Sequence, residues 1–337
     1  MIARNAQRGV ALIVVLMLLA IMTTIAASMT ERLYTHFKRA GSQLNHQQAY
    51  WYSVGVEALA KAGLERAYKD SDTINLSQTW AIEEQTYPLD YGQARGHVRD
   101  MQSCFNLNAL SSVAATTNSQ RPYLVKVLQS LLEQQEVDAY QAEVVADSVW
   151  EYVSSSDTNL SISGVGSATY ESLQPAYMAP NGLMADGSEL RAIYQVEAPM
   201  VAKLNPLLCA LPTSEWKLNV NTLKEPQAKL LVAMFQPYLS EQNATELIKN
   251  RSYDGWDSID KFMQEASISS IDSKTKSQAQ SFLSVDSHYF ELDAEILVEQ
   301  SRLRVQSLLY SKDKNKVDVV RRRFGGIRER VSDSQTQ

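Results

Sequence analysis

The first regular pattern in the chain is a long apolar run. Between Val10 and Met29 there is no charged residue, and only Thr23, Thr24 and Ser28 interrupt the apolar side chains. At 1.5 Å per residue, a helix of this length measures about 30 Å, which matches the hydrocarbon core of a bilayer. The run is therefore long enough to span a membrane.

The helical pattern continues beyond the apolar run. No proline occurs between Thr30 and Lys69. Apolar residues recur there at helical spacing, namely Leu33, Phe37, Leu44, Tyr50, Val54, Ala58, Leu64 and Tyr68. Asp70-Ser71-Asp72 ends the pattern. We predict one helix over residues 10–70, hydrophobic all round in its first half and amphipathic in its second.

Strand patterns at two distant places predict a sheet. Residues 80–87 are predicted to be extended, Asp90-Tyr91-Gly92 to form a turn, and residues 93–104 to form a second strand. Residues 289–299 alternate polar and apolar side chains, and further strands are predicted at 302–310 and 317–324. The chain therefore leaves a sheet near residue 104 and returns to it near residue 288.

The segment between these strands is predicted to be almost entirely helical. One helix begins at Arg121-Pro122, where proline suits the first helical position, and a second covers about 139–152. Asp186 and Glu189 form the pattern of a capping box. Later helices are predicted to begin near residues 226, 240, 257 and 272. The segment is thus an insertion into the sheet domain.

A short motif occurs twice in this insertion. Phe105-Asn106-Leu107-Asn108-Ala109 recurs as Leu218-Asn219-Val220-Asn221-Thr222, and asparagine there is predicted to cap the following helix. The second copy is similar to the start of helix-hairpin-helix modules of DNA-binding proteins. Such modules bind phosphate through a glycine-rich hairpin, but Pro237-Tyr238-Leu239-Ser240 contains no glycine. Since the formal net charge is also −6, no nucleic acid is expected as a partner.

The chain carries no recognisable pattern of an enzyme. Its four histidines are scattered, and no phosphate loop or nucleophile elbow occurs. Asp147 and Glu151 are spaced i, i+4, which we interpret as a solvated helix face rather than a catalytic pair. Cys104 and Cys209 form a disulfide if they lie in an oxidising compartment, and two buried thiols are the alternative.

Three interpretations of the apolar run compete. A secretory signal peptide would need a cleavage site near Ala26-Ala27-Ser28, and a plain single-pass anchor would not explain the glycine between Arg8 and Val10. The third is a family resemblance, because Gln7-Arg8-Gly9 followed by Val10 and further apolar residues resembles the leader of type IV pilins and pseudopilins. This resemblance implies cleavage between Gly9 and Val10 and N-methylation of Val10.

One departure from the usual pilin pattern limits the resemblance to a smaller group within the family. Most pilins have glutamate at the fifth mature position, which is Val14 here. The K-type minor pseudopilins of type II secretion are the subunits that lack it. Further segments that resemble this family, in the same order, are Gln47–Tyr52, Cys104–Asn108, Ser188–Arg191, Leu208–Pro212, Leu218–Thr222 and Tyr289-Phe290.

The resemblance implies an α+β pseudopilin fold, in which a long N-terminal helix packs on an antiparallel sheet that carries a large all-α insertion. The expected organisation is a leader at 1–9, a transmembrane helix at 10–29 and its amphipathic continuation at 30–70. The sheet domain is expected at 71–104 and 286–325, the insertion at 105–285 and a polar tail at 326–337.

The resemblance also implies a place in a secretion machine. The expected role is a subunit at the pseudopilus tip that primes assembly and supports export of folded proteins. The implied partners are the I- and J-type minor pseudopilins, with the H type, the major pseudopilin, the prepilin peptidase and secreted proteins as further candidates. The alternative is a membrane-anchored DNA receptor of the competence type; a single-pass sensor is more distant.

The implied location is the inner membrane, with the N-terminus cytoplasmic and the bulk of the chain periplasmic. Arg4 and Arg8 favour this orientation, whereas Arg32, Lys38 and Arg39 on the other side of the run weaken the charge argument. The charge rule alone therefore leaves the topology open.

The resemblance raises the possibility of structural calcium. Asp157, Asn159 and Ser161 match the first three ligand positions of a calcium loop, but Ile162 and Ala168 replace the glycine and the final glutamate of that pattern. Members of the family hold calcium in a loop at this place. The remaining candidate ligands here are Asp157 and Glu171.

Overall fold

The computed structural model describes residues 10–83, 85–114, 121–155 and 160–325. Its first element is one helix, α1, over Val10–Asp70, as predicted. Within the described residues it is the helix that is long and apolar enough to cross a membrane, and its most apolar window is fully exposed. The second half of α1 buries one face against the sheet, including Ala49, Ser53 and Leu64.

Five antiparallel strands form the sheet on which α1 packs. They are β1 (Gln85–Leu89), β2 (Gly92–Asp100), β7 (Tyr289–Val298), β8 (Ser301–Tyr310) and β9 (Asp318–Phe324), in the spatial order β1-β2-β7-β8-β9. Side chains of β7 alternate strictly between buried and partly exposed, which is the pattern predicted for it. The chain leaves this sheet after β2 and returns at β7.

Two predicted strands are shorter than expected. Residues 79–81 form a 3-10 helix instead of a strand, because the Trp80 ring packs 5.0 Å from that of Phe290 and its indole N–H donates to Gln78. The second strand ends at Asp100 rather than at residue 104. There the Asp100 carboxylate accepts from the Gln102 N–H and turns the chain into the insertion.

The insertion is helical apart from two short pairs of parallel strands. Its helices are α2 (Tyr123–Glu133), α3 (Ala139–Val153), α4 (Ser167–Glu171), α5 (Ala198–Leu204), α6 (Ala228–Met234), α7 (Glu241–Lys249), α8 (Ile259–Met263), α9 (Ala266–Ser269) and α10 (Ser273–Gln280). Strand β3 (Phe105–Asn106) pairs with β4 (Leu208–Cys209), and β5 (Leu218–Asn219) pairs with β6 (Leu283–Ser284). The predicted capping box of Asp186 and Glu189 is present on a 3-10 helix, Gly187–Ala192.

The asparagines of the repeated motif bond to distant parts of the insertion. Asn106 caps the following 3-10 helix as predicted, but it also accepts from the Leu211 N–H and donates to the Thr213 carbonyl. Asn221 both donates to and accepts from the backbone of Trp256. All of these amides are fully buried, and their partners lie far along the sequence. The motif therefore does more than cap a helix, because it also joins distant loops of the insertion.

The prediction that Asp147 and Glu151 lie on a solvated face of α3 is wrong. Asp147 and Glu151 are only 2% and 7% exposed. Arg121 donates to both oxygens of Asp147, at 2.9 and 3.0 Å. Glu151 accepts from the backbone N–H groups of Leu160 and Ser161. Both carboxylates are thus structural, and their burial is tolerated because each is hydrogen-bonded.

Candidate assembly site

Exposed apolar side chains follow one face of α1 beyond the membrane-length run. Phe37, Leu44, Trp51 and Leu59 are 77%, 65%, 69% and 56% exposed. They are separated by steps of seven or eight residues, close to two helical turns, so they lie along one side of the helix. We call these four residues the outer stripe. An apolar row of this length on a helix surface is typical of a helix–helix interface.

The outer stripe lies opposite the face that α1 packs on the sheet. Ala49, Ser53, Glu57, Leu64 and Ala67 are buried, and at 100° per residue they are on average roughly 180° from the outer stripe. The sheet therefore cannot cover the stripe. The apolar side chains of the stripe need an external partner to be removed from water.

The three glycines of α1, Gly41, Gly55 and Gly63, are not required by packing within the chain, and two of them lie near the outer stripe. A Cβ atom added at Gly41 or Gly55 would meet nothing within 4 Å. Glycine in the middle of a helix costs about 0.5–1 kcal/mol relative to alanine. Both residues lie within one turn of stripe members on the outward side. Small residues at such positions allow another helix backbone to come close.

One buried ion pair fixes α1 on the sheet. Arg322 of β9 donates to both carboxylate oxygens of Glu57, at 2.8 and 2.6 Å, and Ser307 of β8 donates to one of them at 2.7 Å. Burial opposes ionisation of Glu57, but these donors outweigh it and lower its pKa below the ordinary value. The pair holds the helix in one rotation, so the outer stripe faces away from the sheet.

A second buried carboxyl joins the sheet to the insertion. Asp100, at the end of β2, accepts from Ser287 (2.6 Å), Thr222 (2.5 Å), Asn219 (3.3 Å) and the Gln102 N–H (2.7 Å). Burial raises the pKa of Asp100 to about 6, although all of these hydrogen bonds favour the ionised form. Asp100 and Ser287 stand where the chain leaves and re-enters the sheet.

The candidate cysteine pair lies next to this junction. The Sγ atoms of Cys104 and Cys209 are bonded; their Cα atoms are 5.9 Å apart and the two residues are 105 positions apart in sequence. The bond ties the start of the insertion to β4, beside the pairing of Asn106 with Cys209. Of the two alternatives for these cysteines, the structure contains the disulfide.

The remaining predicted site residues are only partly described. Val10 begins α1 and Val14 follows one turn later, 53% and 51% exposed, whereas Gly9 lies outside the described residues. Glu171 ends α4 and is exposed, and Asp157 lies outside the described residues. Across the described ranges no group of His, Cys, Asp and Glu is arranged to hold a metal ion. Calcium therefore stays a prediction.

The sequence interpretation missed Glu57 and Asp100 as anchoring residues. For Glu57 a signal was present, because Ala49, Ser53 and Glu57 follow one another at steps of four on the buried face. A carboxylate in such a row requires a cation from elsewhere in the fold. Its partner Arg322 is 265 positions away, so no local pattern could identify it.

These features define a class of protein. A membrane-length apolar helix continues without a break into the core of an antiparallel sheet domain, and it leaves an apolar row exposed along its outer side. This is the architecture of a membrane-anchored pilin-like subunit, which here carries a large helical insertion.

Comparison with known proteins specifies the family. The family described as type II secretion system (T2SS), protein K, matches residues 103–213 and 218–286. The type II secretion system protein K of Aeromonas hydrophila is 35% identical over 328 residues, which cover 95% of this chain and 98% of that protein. The protein K of Pectobacterium carotovorum subsp. carotovorum is 34% identical, with 96% and 98% covered. The chain belongs to the protein K family of the type II secretion system.

A solved structure agrees with this assignment. The chain is similar to one in the crystal structure of the GspK-GspI-GspJ complex from the type 2 secretion system of enterotoxigenic Escherichia coli. The TM-score is 0.79 at 35% identity, covering 86% of this chain and 99% of that chain. The predicted pseudopilin fold and minor-pseudopilin class are confirmed, and the DNA-receptor alternative is not favoured.

Proposed function

We propose that this minor pseudopilin caps the tip of the pseudopilus together with I- and J-type minor pseudopilins, primes its assembly and supports export of folded proteins. The outer stripe is the observation that carries the proposal, since it offers a neighbouring helix an uncharged row directly opposite the sheet. The solved relative is named as a complex of GspK, GspI and GspJ, which supports I- and J-type subunits as the partners that supply that helix.

The insertion favours a terminal position in the filament. Subunits of such a filament pack through their helices, and the bulky insertion from β3 to β6 would clash with a subunit stacked above this one. Val14 adds to this argument. Without a carboxylate there, the subunit lacks the group expected to pair with the amino terminus of a neighbour in an apolar environment.

The proposal includes the orientation of the chain in the inner membrane. Val10–Met29 would span the bilayer with the N-terminus in the cytoplasm, and the sheet and insertion would lie in the periplasm. The Cys104–Cys209 disulfide supports a periplasmic location of the sheet and insertion, because such bonds persist in oxidising compartments. Prepilin peptidase would cut between Gly9 and Val10. The H-type subunit, the major pseudopilin and secreted proteins are further proposed partners.

Co-purification with the partner subunits tests the role of the outer stripe. The full chain is co-expressed with its I- and J-type subunits and purified in mild detergent, as wild type and as Leu44→Asp. A charge on the stripe must lose its water in the interface, so we expect the recovered partner to fall by at least tenfold. Ile162→Asp is the matched control, because Ile162 is 92% exposed on the insertion.

Secretion in a strain lacking the native subunit gives the functional readout. Leu44→Asp should fail to restore export, while Ile162→Asp should restore it. Undiminished partner recovery and export with Leu44→Asp would refute the stripe as the assembly surface. In the same strain, Val14→Glu tests the terminal position: unchanged export and unchanged tip assembly would contradict the role assigned to Val14.

A further inference from the structure

Three basic side chains follow directly after the membrane-length run of α1. They are Arg32, Lys38 and Arg39, and from residue 32 to residue 56 the chain contains no acidic residue. All three are exposed, and within the described ranges none of them forms an ion pair with a carboxylate. Basic residues are usually concentrated on the cytoplasmic side of a membrane helix. Cations on the other side, without a partner in the chain, therefore point to a negatively charged partner outside it.

Two of these cations share one face of α1 with a histidine. At 100° per residue, Arg32, His36 and Arg39 lie within about 60° of one another around the helix axis. We call these three residues the basic row. Lys38 lies about 130° from the mean direction of the row, and its ammonium nitrogen is 4.9 Å from the centre of the Tyr34 ring. Lys38 is therefore not part of the row.

The basic row lies between the membrane-length run and the sheet domain. Its mean direction is about 60° from that of the face of α1 that is buried on the sheet, and about 130° from that of the outer stripe. Burial on the sheet begins at Ala49, roughly 15 Å farther along the helix than Arg39. A subunit packed on the outer stripe therefore leaves the row uncovered.

The distance of the row from the apolar run matches the polar layer of a bilayer. Because α1 is continuous, Arg32, His36 and Arg39 lie about 5, 11 and 15 Å beyond Met29 along its axis. The polar layer on each side of the hydrocarbon core is about 5–8 Å thick. Side chains of a helix are tilted toward its N-terminus, which is here the direction of the bilayer, and a tilt of the helix by about 20° toward the row would lower it further. The basic side chains can thus extend toward the lipid headgroups.

Phosphate is the anion that suits these donors. A guanidinium binds two phosphate oxygens through parallel N–H donors, and an imidazole adds a ring N–H. The headgroup of a phospholipid places a phosphate beside the end of the apolar run. In phosphatidylcholine a quaternary ammonium neutralises that phosphate, whereas phosphatidylglycerol carries a net negative charge. The row therefore favours an anionic phospholipid over a zwitterionic one.

We infer that the basic row binds the phosphate of an anionic phospholipid in the periplasmic leaflet of the membrane. This inference rests on the proposed function, because it requires that Val10–Met29 spans the inner membrane. The lipid would lie on the side of α1 below the sheet domain, away from the outer stripe. It would fix the depth and rotation of α1 while the stripe stays accessible to a partner subunit.

Photo-crosslinking to lipids tests the basic row directly. The full chain is reconstituted without partner subunits into phosphatidylcholine vesicles that contain a trace of photoreactive phosphatidylglycerol or photoreactive phosphatidylcholine, each with its reactive group near the phosphate. After irradiation, mass spectrometry measures the yield of lipid adducts on residues 30–45. We expect the phosphatidylglycerol probe to exceed the phosphatidylcholine probe by about fivefold or more, the factor expected for one basic side chain at an anionic lipid surface.

Three variants distinguish a site from a general attraction. Replacing Arg32 and Arg39 together by glutamine should remove the preference for phosphatidylglycerol, and Arg39→Gln alone should reduce it. Lys38→Gln is the matched control, since it removes the same charge at nearly the same height but on another face of α1, and it should leave the preference unchanged. No preference in the wild type, a preference retained in the double variant, or equal losses with Lys38→Gln and Arg39→Gln would overturn the inference.

Flotation of the vesicles separates this inference from the proposed function. Wild type and variants should float with the vesicles after extraction at alkaline pH, because the apolar run is unchanged in all of them. If the wild type does not float, the membrane placement in the proposed function is wrong, and the inference fails with it. If it floats but shows no preference for phosphatidylglycerol, only the basic row is refuted, and the outer stripe stands on the co-purification test of Leu44→Asp.

Discussion

Asp100→Asn replaces the buried carboxyl between the sheet and the insertion with a side chain that does not titrate. Burial raises the pKa of Asp100 from its ordinary value of 3.8 to about 6. The folded state therefore binds the proton more tightly than the unfolded state does, and this contribution to stability is lost as the pH rises from about 4 to 6. A pKa difference of this size corresponds to about 3 kcal/mol.

The expected result is a pH-dependent difference between two proteins. Urea unfolding of the full chain in detergent is followed by tryptophan fluorescence at pH 4 and at pH 7, to which the buried residues Trp80, Trp150, Trp216 and Trp256 contribute. Relative to Asp100→Asn, the wild type should lose about 2 kcal/mol of unfolding free energy between these pH values, since part of the about 3 kcal/mol is already lost at pH 4. The difference between the two proteins cancels the contributions that other carboxylates make to the pH dependence, including that of Glu57, whose pKa is lowered. A constant difference would refute the account of Asp100 as a buried group that titrates near pH 6.

Three further changes test the packing of the fold by the same unfolding assay. Glu57→Gln removes the partner of Arg322 and should cost about 1–3 kcal/mol. Because the pKa of Glu57 is lowered in the folded state, this stabilisation should be fully present at pH 7 and should shrink as the pH falls below the ordinary value of 4.5; an equal cost of the substitution at pH 7 and pH 4 would contradict it. Replacing Cys104 and Cys209 together by serine should cost about 4–5 kcal/mol, since the bond closes a loop of more than one hundred residues; an unchanged urea midpoint would contradict this. Gly255→Ala should cost about 1–3 kcal/mol, because Gly255 has a φ of +77° and a Cβ there would lie 2.5 Å from the Asn221 side chain; a neutral effect would contradict the strain.

The main elements of the fold could be predicted from periodicity. Apolar residues at helical spacing and the absence of proline placed α1 at residues 10–70, and strict alternation placed β7. These signals are local, since each residue's neighbours along the chain determine the face on which it lies. The interruption of both sheet patterns near residues 104 and 288 was enough to identify the insertion.

What the sequence could not provide depends on contacts between distant segments. Trp80 was predicted to lie in a strand, but its contact with Phe290 holds it in a 3-10 helix. Asp147 was predicted to be solvated, but Arg121, 26 positions earlier, pairs with it inside the insertion. A carboxylate on a helix has the same local pattern whether water or a distant guanidinium solvates it.

The candidate site was predictable in part. The apolar positions 37 and 44 already belonged to the predicted amphipathic helix, but the sequence could not show which face of α1 the sheet covers. The structure shows that the sheet covers the face with Ala49, Ser53 and Glu57 and leaves the outer stripe exposed. The contact between the rings of Tyr50 and Phe324, which are 274 positions apart, was indicated by no sequence pattern.

The central claim, that this chain enters the pseudopilin pathway and acts in the pseudopilus, is tested most directly at its amino terminus. The protein is purified from membranes of cells with and without prepilin peptidase, and its intact mass and N-terminal sequence are determined. The account predicts a chain that starts at Val10 and carries one methyl group when the peptidase is present, and a chain that retains residues 1–9 when it is absent. An uncut chain in the presence of the peptidase, or cleavage beyond Ala27, would contradict it.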